Sequence, residues 1–329
     1  MSDVALLAWA SLCLASTSCT RPSDGLLVQF PLRDTVFYRE LAPNDTVFAD
    51  PYLIERWGDN IVVADGLDQR LVILDTIGTF LGTIGRKGEG PTEFRFIRDV
   101  VIQEDGSLLV VDARNQRISK VDRDGIIAST WQLDPTLGRP WSAAAVDHLF
   151  VVAFAPRPLI GYYSSDWTLL DTVRLTWQGS ALGDSIIGTS RVAAATGRSG
   201  RWSSAFSFGP GFVLWDDHSS RSYPYLGSKV FTRSGEPIRD YGAFAVAVTI
   251  DEIYLLDGGT PARGEVERKL SRGIDVYGWD GQYRRTYTFA GRITDFAVAG
   301  RTIYLLQREP HIAVLAMRDP LPPNPGAPF

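Results

Sequence analysis

Short apolar runs recur along the chain, and each is bounded by turn-forming residues. A turn residue is followed by four or five mostly apolar residues and, in most cases, by a polar residue six positions after the turn. The runs occupy residues 61–63, 108–111, 149–152, 212–215, 253–256 and 303–306. Such runs, rich in branched and aromatic side chains, predict buried β-strands. Helical periodicity is almost absent, so the pattern predicts an all-β fold.

The apolar runs belong to an internal repeat. Residues 65–78 align with residues 112–125 at an offset of 47, and residues 53–54 fall on residues 100–101. The positions that close the six runs are Asp65, Asp112, Ala153, Asp216, Asp257 and Gln307. Their mean spacing of about 48 residues, with several short strands per unit, is typical of a β-propeller blade. Six such units fill the body of the chain.

The last unit lacks an outer strand, because the chain runs from residue 317 into a proline-rich end. A ring of sheets leaves raw edges unless it is closed. The early apolar segments 26–30 and 35–38 precede the first unit and offer the missing strand. We therefore predict a six-bladed β-propeller whose last blade is closed by an N-terminal strand. The alternative is an uncovered pair of N-terminal strands.

The N-terminus indicates the compartment. Residues 4–15 form an apolar run that is too short to span a bilayer but fits the core of a signal peptide. Small residues then lead to Cys19, an ending that resembles a bacterial lipobox. We expect a signal peptide of lipoprotein type at 1–19 with Cys19 as the lipidation site, a propeller at 20–318 and a proline-rich tail at 319–329. The protein would be exported to the periplasm, anchored in the outer membrane or displayed on the cell surface.

One stretch resembles a known family. Residues 115–125 read Asn-Gln-Arg-Ile-Ser-Lys-Val-Asp-Arg-Asp-Gly, and a glycine-rich loop at residues 85–94 precedes them. Together they resemble the NHL repeat and the exported bacterial six-bladed propellers that are similar to NHL domains. The resemblance implies the fold. It leaves the activity open, because related members include lyases, lactonases, RNA binders and scaffolds.

Blade connectivity sorts the connections onto two sides of the ring. Tight turns on one side are rich in Asp and Glu, and we call this the short-loop side; the opposite, long-loop side is rich in Arg. Guanidinium groups bind oxyanions bidentately, so the long-loop side is a candidate site for an anionic ligand. Its predicted ligand-binding residues are Arg86, Lys87, Glu93, Arg114, Arg221, Arg263 and Arg308. Asp is also favoured in tight turns for backbone reasons, which is the alternative explanation of the charge difference.

Catalytic chemistry has little support in the sequence. The histidines are His148, His218 and His311, and no nucleophile elbow, zinc motif or phosphate loop is present. An oxygen-rich ring of Asp65, Asp112, Asp216 and Asp257 could hold Ca²⁺. The preferred interpretation is that each Asp caps a loop and pairs with the Arg five residues later. Residues 177–202 are expected to form an insertion or a lid, and Trp141, Trp177, Trp202 and Trp215 are candidates for sugar stacking.

The sequence as a whole favours a binding or scaffold protein without cofactor. Its partner would be a protein, a peptide or an anionic glycan, and we expect a monomer. With 33 basic against 38 acidic residues the net charge is −5, so a nucleic-acid partner is not expected. The alternative is an NHL-like lyase or lactonase that uses a divalent metal such as Ca²⁺ in the central channel.

Overall fold

A computed structural model describes most of the body of the chain. It describes residues 26–29, 35–40, 47–156, 159–174, 190–194, 201–206, 211–215, 220–224, 243–257, 273–289, 291–309 and 313–318. The predicted signal peptide with Cys19 and the predicted tail at 319–329 lie outside these residues. Within them the secondary structure is almost entirely β, with one single-turn 3-10 helix at Pro135–Leu137. A search of these residues finds no helix long and apolar enough to cross a membrane.

The strands form six sheets. Two strands precede the first complete sheet, β1 (Leu26–Gln29) and β2 (Thr35–Glu40). Blade 1 holds β3 (Pro51–Trp57), β4 (Asn60–Asp65), β5 (Arg70–Asp75) and β6 (Phe80–Ile84). Blade 2 holds β7 (Ile97–Ile102), β8 (Leu108–Asp112), β9 (Arg117–Val121) and β10 (Ile127–Gln132). Blade 3 holds β11 (Arg139–Val146), β12 (Leu149–Ala155), β13 (Leu159–Ser164) and β14 (Leu169–Arg174).

The remaining three blades follow the same plan. Blade 4 holds β15 (Ser190–Ala194), β16 (Trp202–Phe206), β17 (Gly211–Trp215) and β18 (Ser220–Pro224). Blade 5 holds β19 (Ala243–Val248), β20 (Glu252–Asp257), β21 (Gly273–Gly278) and β22 (Tyr283–Thr288). Blade 6 holds β23 (Arg292–Ala299), β24 (Thr302–Glu309) and β25 (Ala313–Arg318). The predicted all-β fold with six blades is confirmed.

Each blade is an antiparallel meander, and its first strand lies innermost. The innermost strands β3, β7, β11, β15, β19 and β23 contact one another around the ring. On the N-terminal side, β2 pairs antiparallel with β25 of blade 6, and β1 adds a parallel fifth strand to β22 of blade 5. The N-terminal segment therefore runs across the outer edges of the last two blades.

The core lies between the blades. Each sheet packs against a neighbour on both faces, so the inner strands contain continuous apolar runs, and all five residues of β8 are buried. The outer strands face solvent, and β10 alternates between half-buried and exposed residues. One apolar cluster joins blades 1 and 2 around Leu53, Ile84 and Phe94, and comparable clusters join the other neighbours. This two-sided burial is why the sequence shows continuous apolar runs.

Blade 4 corrects the sequence analysis. The repeat aligns the apolar run 212–215 with the second strands β4 and β8, but β17 is the third strand of its sheet. The innermost strand of this blade is β15, which lies inside the predicted insertion 177–202. The run was misassigned because second and third strands have the same apolar character. Asp216, which the sequence pattern places with Asp65 and Asp112, lies outside the described residues.

The tight turns explain the acidity of the short-loop side. The Asp75 carboxylate accepts hydrogen bonds from the backbone N–H groups of Ile77 (3.0 Å) and Thr79 (2.7 Å). Asp122 repeats this arrangement one blade further on. In another turn, hydrogen bonds from Lys120 and Ser107 lower the pKa of Asp105 to about 2. These carboxylates serve the local backbone, which supports the conformational explanation for their number.

Candidate ligand-binding site

The glycine-rich loop at residues 85–94 is held in one conformation by its own contacts. The Phe94 ring is fully buried, and a Cβ atom on Gly85 would lie 2.3 Å from it. Gly85 also has a φ of +73°, which favours glycine. Across the loop, Phe94 N donates to Arg86 O (2.7 Å) and Gly88 N donates to Phe94 O (2.9 Å). The loop is therefore a compact hairpin anchored on Phe94.

Side chains of the NHL-like motif donate hydrogen bonds to the backbone of the same loop. The Asn115 amide donates to Gly88 O at 3.1 Å, and the Arg117 guanidinium donates to the carbonyls of Glu89 (3.3 Å) and Gly90 (2.8 Å). Arg117 also donates to the carbonyl of Glu93. Its guanidinium is buried, so its charge is used to hold backbone oxygens. The Asn-x-Arg element of the repeat thus serves to hold the loop between blades.

The aspartates that close the second strands have a matching role. Asp112 is fully buried and accepts from Phe96 N (3.0 Å), Arg95 N (3.2 Å) and the Asn115 amide (2.7 Å). Its carboxylate also lies 3.6 Å from the Arg117 Nε. These bonds occupy the oxygens that a metal ion would need, which favours the predicted loop-capping role over a Ca²⁺ ligand.

Asp65 repeats the arrangement in blade 1. Its buried carboxylate accepts from Ala49 N (2.9 Å) and Asp50 N (2.8 Å), and Arg70 lies 3.6 Å away. Asp257 is the last residue of β20, and Asp216 lies outside the described residues. Among the residues that the structure describes, no group of three or more His, Cys, Asp or Glu side chains could hold a metal ion.

Two β-bulges, one in each of two neighbouring inner strands, place two side chains that the repeat pattern does not predict. In β7 the register shifts between Ile97 and Asp99, and in β11 it shifts between Pro140 and Ser142. Arg98 and Trp141 are the extra residues. The strand pairing also corrects the alignment of blade 1 with blade 2. Measured against the second strand of each blade, residues 53–54 correspond to residues 99–100, whereas the sequence offset of 47 predicts 100–101.

The bulge residues meet in a cation–aromatic stack. The guanidinium carbon of Arg98 lies 3.4 Å from the centre of the Trp141 ring system and 5.2 Å from the Phe96 ring. Arg114 lies over the same Phe96 ring at 5.5 Å. Two cations and two rings therefore alternate across blades 2 and 3. Arg114 is exposed, whereas Arg98 is half-buried.

These arginines continue into the loop to form a basic surface. We call it the blade-2 basic patch; it consists of Arg86, Lys87, Arg95, Arg98 and Arg114. Two carboxylates accompany it, with Arg86 2.8 Å from Glu93 and Arg95 2.5 Å from Glu89. A hydrogen bond from the Gly90 N–H and another from Arg86 lower the pKa of Glu93. Lys87 and Arg114 are exposed and form no ion pair within the described part of the chain.

The structure brings four predicted ligand-binding residues together and separates others. Arg86, Lys87, Glu93 and Arg114 lie on the loop and the adjoining turn. Arg221, placed by the sequence on a long-loop connection, lies instead in the outer strand β18, because 212–215 is a third strand. Arg308 lies in β24, and Arg263 lies outside the described residues.

Sequence reasoning missed Arg95, Phe96 and Arg98. All three directly follow the glycine-rich loop, and Trp141 had been considered only for sugar stacking. Two of the other predicted aromatic residues contact each other: Trp202 is buried and stacks on Trp215 with ring centroids 4.7 Å apart. His148 is exposed in a turn, and His218, His311 and Trp177 lie outside the described residues.

Comparison with known proteins identifies the architecture. A family model described as a 6-bladed beta-propeller matches residues 38–137, the part of the chain that contains the glycine-rich loop and the NHL-like motif. The chain has the fold of a six-bladed β-propeller. A candidate exported protein from Bacteroides fragilis matches this propeller with a TM-score of 0.56 at 10% identity, covering 89% of this chain and 98% of that one.

Other solved structures share the architecture. A catalytically inactive virginiamycin B lyase from Staphylococcus aureus with quinupristin matches with a TM-score of 0.54 at 12% identity, covering 85% of this chain and 99% of that chain. The WD40 repeats of RRP9 match with a TM-score of 0.57 at 11% identity, covering 85% and 97%. Identities this low establish the shared fold only, so the function rests on the propeller's own residues.

Proposed function

We propose that this propeller binds a ligand that carries carboxylate, sulfate or phosphate groups at the blade-2 basic patch, and that it performs no chemistry of its own. The observation that carries the proposal is the alternating stack of Arg114, Phe96, Arg98 and Trp141, which lies beside a loop fixed by buried side chains. A guanidinium that is stacked on a ring loses little conformational freedom when it donates hydrogen bonds to an oxyanion.

The rigidity of the patch supports a binding role. Arg117 and Asn115 hold the loop carbonyls, and Asp112 holds the backbone N–H groups of residues 95 and 96. Binding then requires little ordering of the loop, which is a main cost of association. The patch would engage the acidic groups of a glycan or of a polypeptide through the same bidentate chemistry.

The proposal predicts salt-dependent binding of anionic probes. Titration calorimetry with a heparin-derived hexasaccharide, with polyglutamate and with neutral maltohexaose should detect binding only of the charged probes. Affinity should fall as NaCl rises from about 50 to 300 mM, because exposed charge pairs are screened. The double variant Lys87→Gln, Arg114→Gln should lose about tenfold in affinity, since each exposed charge pair contributes up to about 1 kcal/mol and a tenfold change corresponds to about 1.4 kcal/mol.

The matched control is Arg221→Gln, which removes an exposed arginine on the outer strand of blade 4. It should bind both charged probes as the wild type does. The control removes one charge and the double variant removes two. A loss of binding free energy in the control about half as large as in the double variant would show that overall charge, and not the blade-2 basic patch, governs the interaction. Equal binding of maltohexaose and of the charged probes would refute the anionic preference.

We further propose that the propeller acts outside the cytoplasm, tethered through Cys19. The apolar run at residues 4–15 and the small residues before Cys19 support export, as does the likeness to a candidate exported protein. Mass spectrometry of the protein made in its host should show a chain that starts at Cys19 and carries lipid. An N-terminus that retains Met1 would contradict export.

A further inference from the structure

Two buried polar side chains lie directly behind the Arg98–Trp141 pair. Asp99 follows Arg98 in β7, and Ser142 follows Trp141 in β11. The Asp99 carboxylate accepts the Ser142 hydroxyl and, at 3.0 Å, the backbone N–H of Ala143. Ser142 is fully buried and Asp99 is 7% exposed. The two residues therefore join blades 2 and 3 at the point where the cation meets the ring.

The connection continues into blade 4. The Ser142 oxygen accepts a hydrogen bond from Val192 N at 3.1 Å, and Val192 lies in the inner strand β15. One buried hydroxyl thus links the inner strands of three successive blades. Buried hydrogen bonds to a charged acceptor are among the stronger ones, and they have strict geometry.

We propose that Asp99 and Ser142 are positioning residues that hold Arg98 and Trp141 in register across the blade boundary, and that ligand affinity depends on them although neither touches the ligand. The second half rests on the proposed function. Arg98 and Trp141 belong to separate blades, so their 3.4 Å contact requires the two inner strands to keep a fixed offset. The link between the next residues along each strand sets that offset.

Blade 6 contains an interblade hydrogen bond that is comparable to the Asp99 bond but has no Arg–Trp stack beside it. Asp295 occupies the position in β23 that Asp99 occupies in β7, since a register shift precedes each of them. The Asp295 carboxylate accepts from Ile54 N of blade 1 at 2.9 Å. The residue before it is Thr294, whose hydroxyl donates to Leu306 O within its own blade. Asp295→Ala therefore tests what the loss of an interblade bond does by itself.

The experiment follows Trp141 and affinity separately. The full-length protein is labelled with 5-fluorotryptophan, and the Trp141 resonance in the ¹⁹F NMR spectrum is assigned with Trp141→Phe. Asp99→Ala and Ser142→Ala should shift or broaden that resonance, while Asp295→Ala leaves it in place. The affinity for the heparin hexasaccharide should fall about tenfold in the first two variants, as expected if the displaced Arg98 no longer donates one charge-assisted hydrogen bond to the ligand. Ser142→Thr keeps the hydroxyl, so its Trp141 resonance should lie at the wild-type position.

The outcomes separate this inference from the proposed function. An unmoved Trp141 resonance in Ser142→Ala overturns the positioning role, and so does an equal movement in Asp295→Ala. A moved resonance with unchanged affinity also overturns it, because binding would then not depend on the stack. If the wild type binds none of the charged probes, the proposed function fails, while the resonances still decide whether Asp99 and Ser142 hold the stack. Ser142→Ala removes one buried oxygen without adding bulk, so the test does not depend on Asp99→Ala being foldable.

Discussion

Replacing Phe94 with alanine is expected to lower the free energy of unfolding by about 3–5 kcal/mol, the usual cost of truncating a fully buried phenylalanine. The ring is 0% exposed and packs with Ile84 and Ile97 in the cluster between blades 1 and 2. It also supports the glycine-rich loop, whose Gly85 lies against it. The cavity left by the substitution would therefore weaken the packing between blades 1 and 2. It would also make the loop of the blade-2 basic patch less rigid.

Chemical denaturation of Phe94→Ala beside Phe80→Ala provides the measurement. Phe80 lies in the outer strand of blade 1 and is 45% exposed, so its truncation should cost less than about 1 kcal/mol. The same pair should differ in binding: the Phe94 variant loses affinity for the charged probes at temperatures where it remains folded. Similar destabilisation by both substitutions would contradict the packing described for the loop.

The second large effect concerns a buried ion pair in blade 5. Arg285 binds Glu252 with two bonds of 2.5 and 2.7 Å, and the Tyr254 hydroxyl donates to the same carboxylate at 2.8 Å. The two charged side chains are 10% and 24% exposed. Arg285→Leu should lower the free energy of unfolding by about 3 kcal/mol, because it leaves a largely buried carboxylate without its cation. Replacing both partners with leucine should recover most of that loss.

The pH dependence of the free energy of unfolding tests whether the ion pair causes this effect. Burial opposes ionisation of Glu252, but the bonds from Arg285 and Tyr254 outweigh it, so the pKa of Glu252 lies below the ordinary 4.5. The pair therefore stabilises the wild type above about pH 4.5, and this stabilisation is lost as the pH falls through the lowered pKa. In Arg285→Leu the carboxyl can protonate readily, so the stability gap to the wild type should narrow on acidification. A gap that stays constant from pH 7 to pH 3 would show that the ion pair is not its cause.

The fold was predictable because its determinants are local and repeated. Asp65 and Asp112 recur with the Arg five residues later, and the structure shows why: the carboxylate holds backbone N–H groups of the preceding loop. In blade 2, Arg117 also donates to a backbone carbonyl of that loop, that of Gly90. The apolar runs are equally regular, since every blade buries both faces of its inner strands. Because these features are local in sequence, the repeat can be recognised without knowledge of contacts between distant residues.

Blade 4 was misassigned where the repeat loses its polar residues. No Asn-x-Arg element marks its third strand, so the apolar run 212–215 fitted a second strand equally well. The inner strand β15 reads Ser-Arg-Val-Ala-Ala, which is too short and too polar at its start to stand out. Burial in the ring, and not intrinsic propensity, makes it a strand.

The site was half predictable for a related reason. Arg86, Lys87 and Arg114 stand in conspicuous loop sequence. Arg98 does not, because it owes its place to a β-bulge and its partner Trp141 belongs to the next blade. Register shifts and contacts between blades depend on the assembled ring. The residue spacing within one repeat therefore does not predict them.

Hydrogen–deuterium exchange of the propeller with and without a saturating charged probe tests the central claim most directly. With the heparin hexasaccharide bound, we predict slower exchange at residues 85–98 and 113–117, and unchanged exchange in the outer strand β18 and in the tight turns of the short-loop side. Protection confined to β18 or to those turns, with none in the glycine-rich loop, would contradict the blade-2 basic patch as the binding surface.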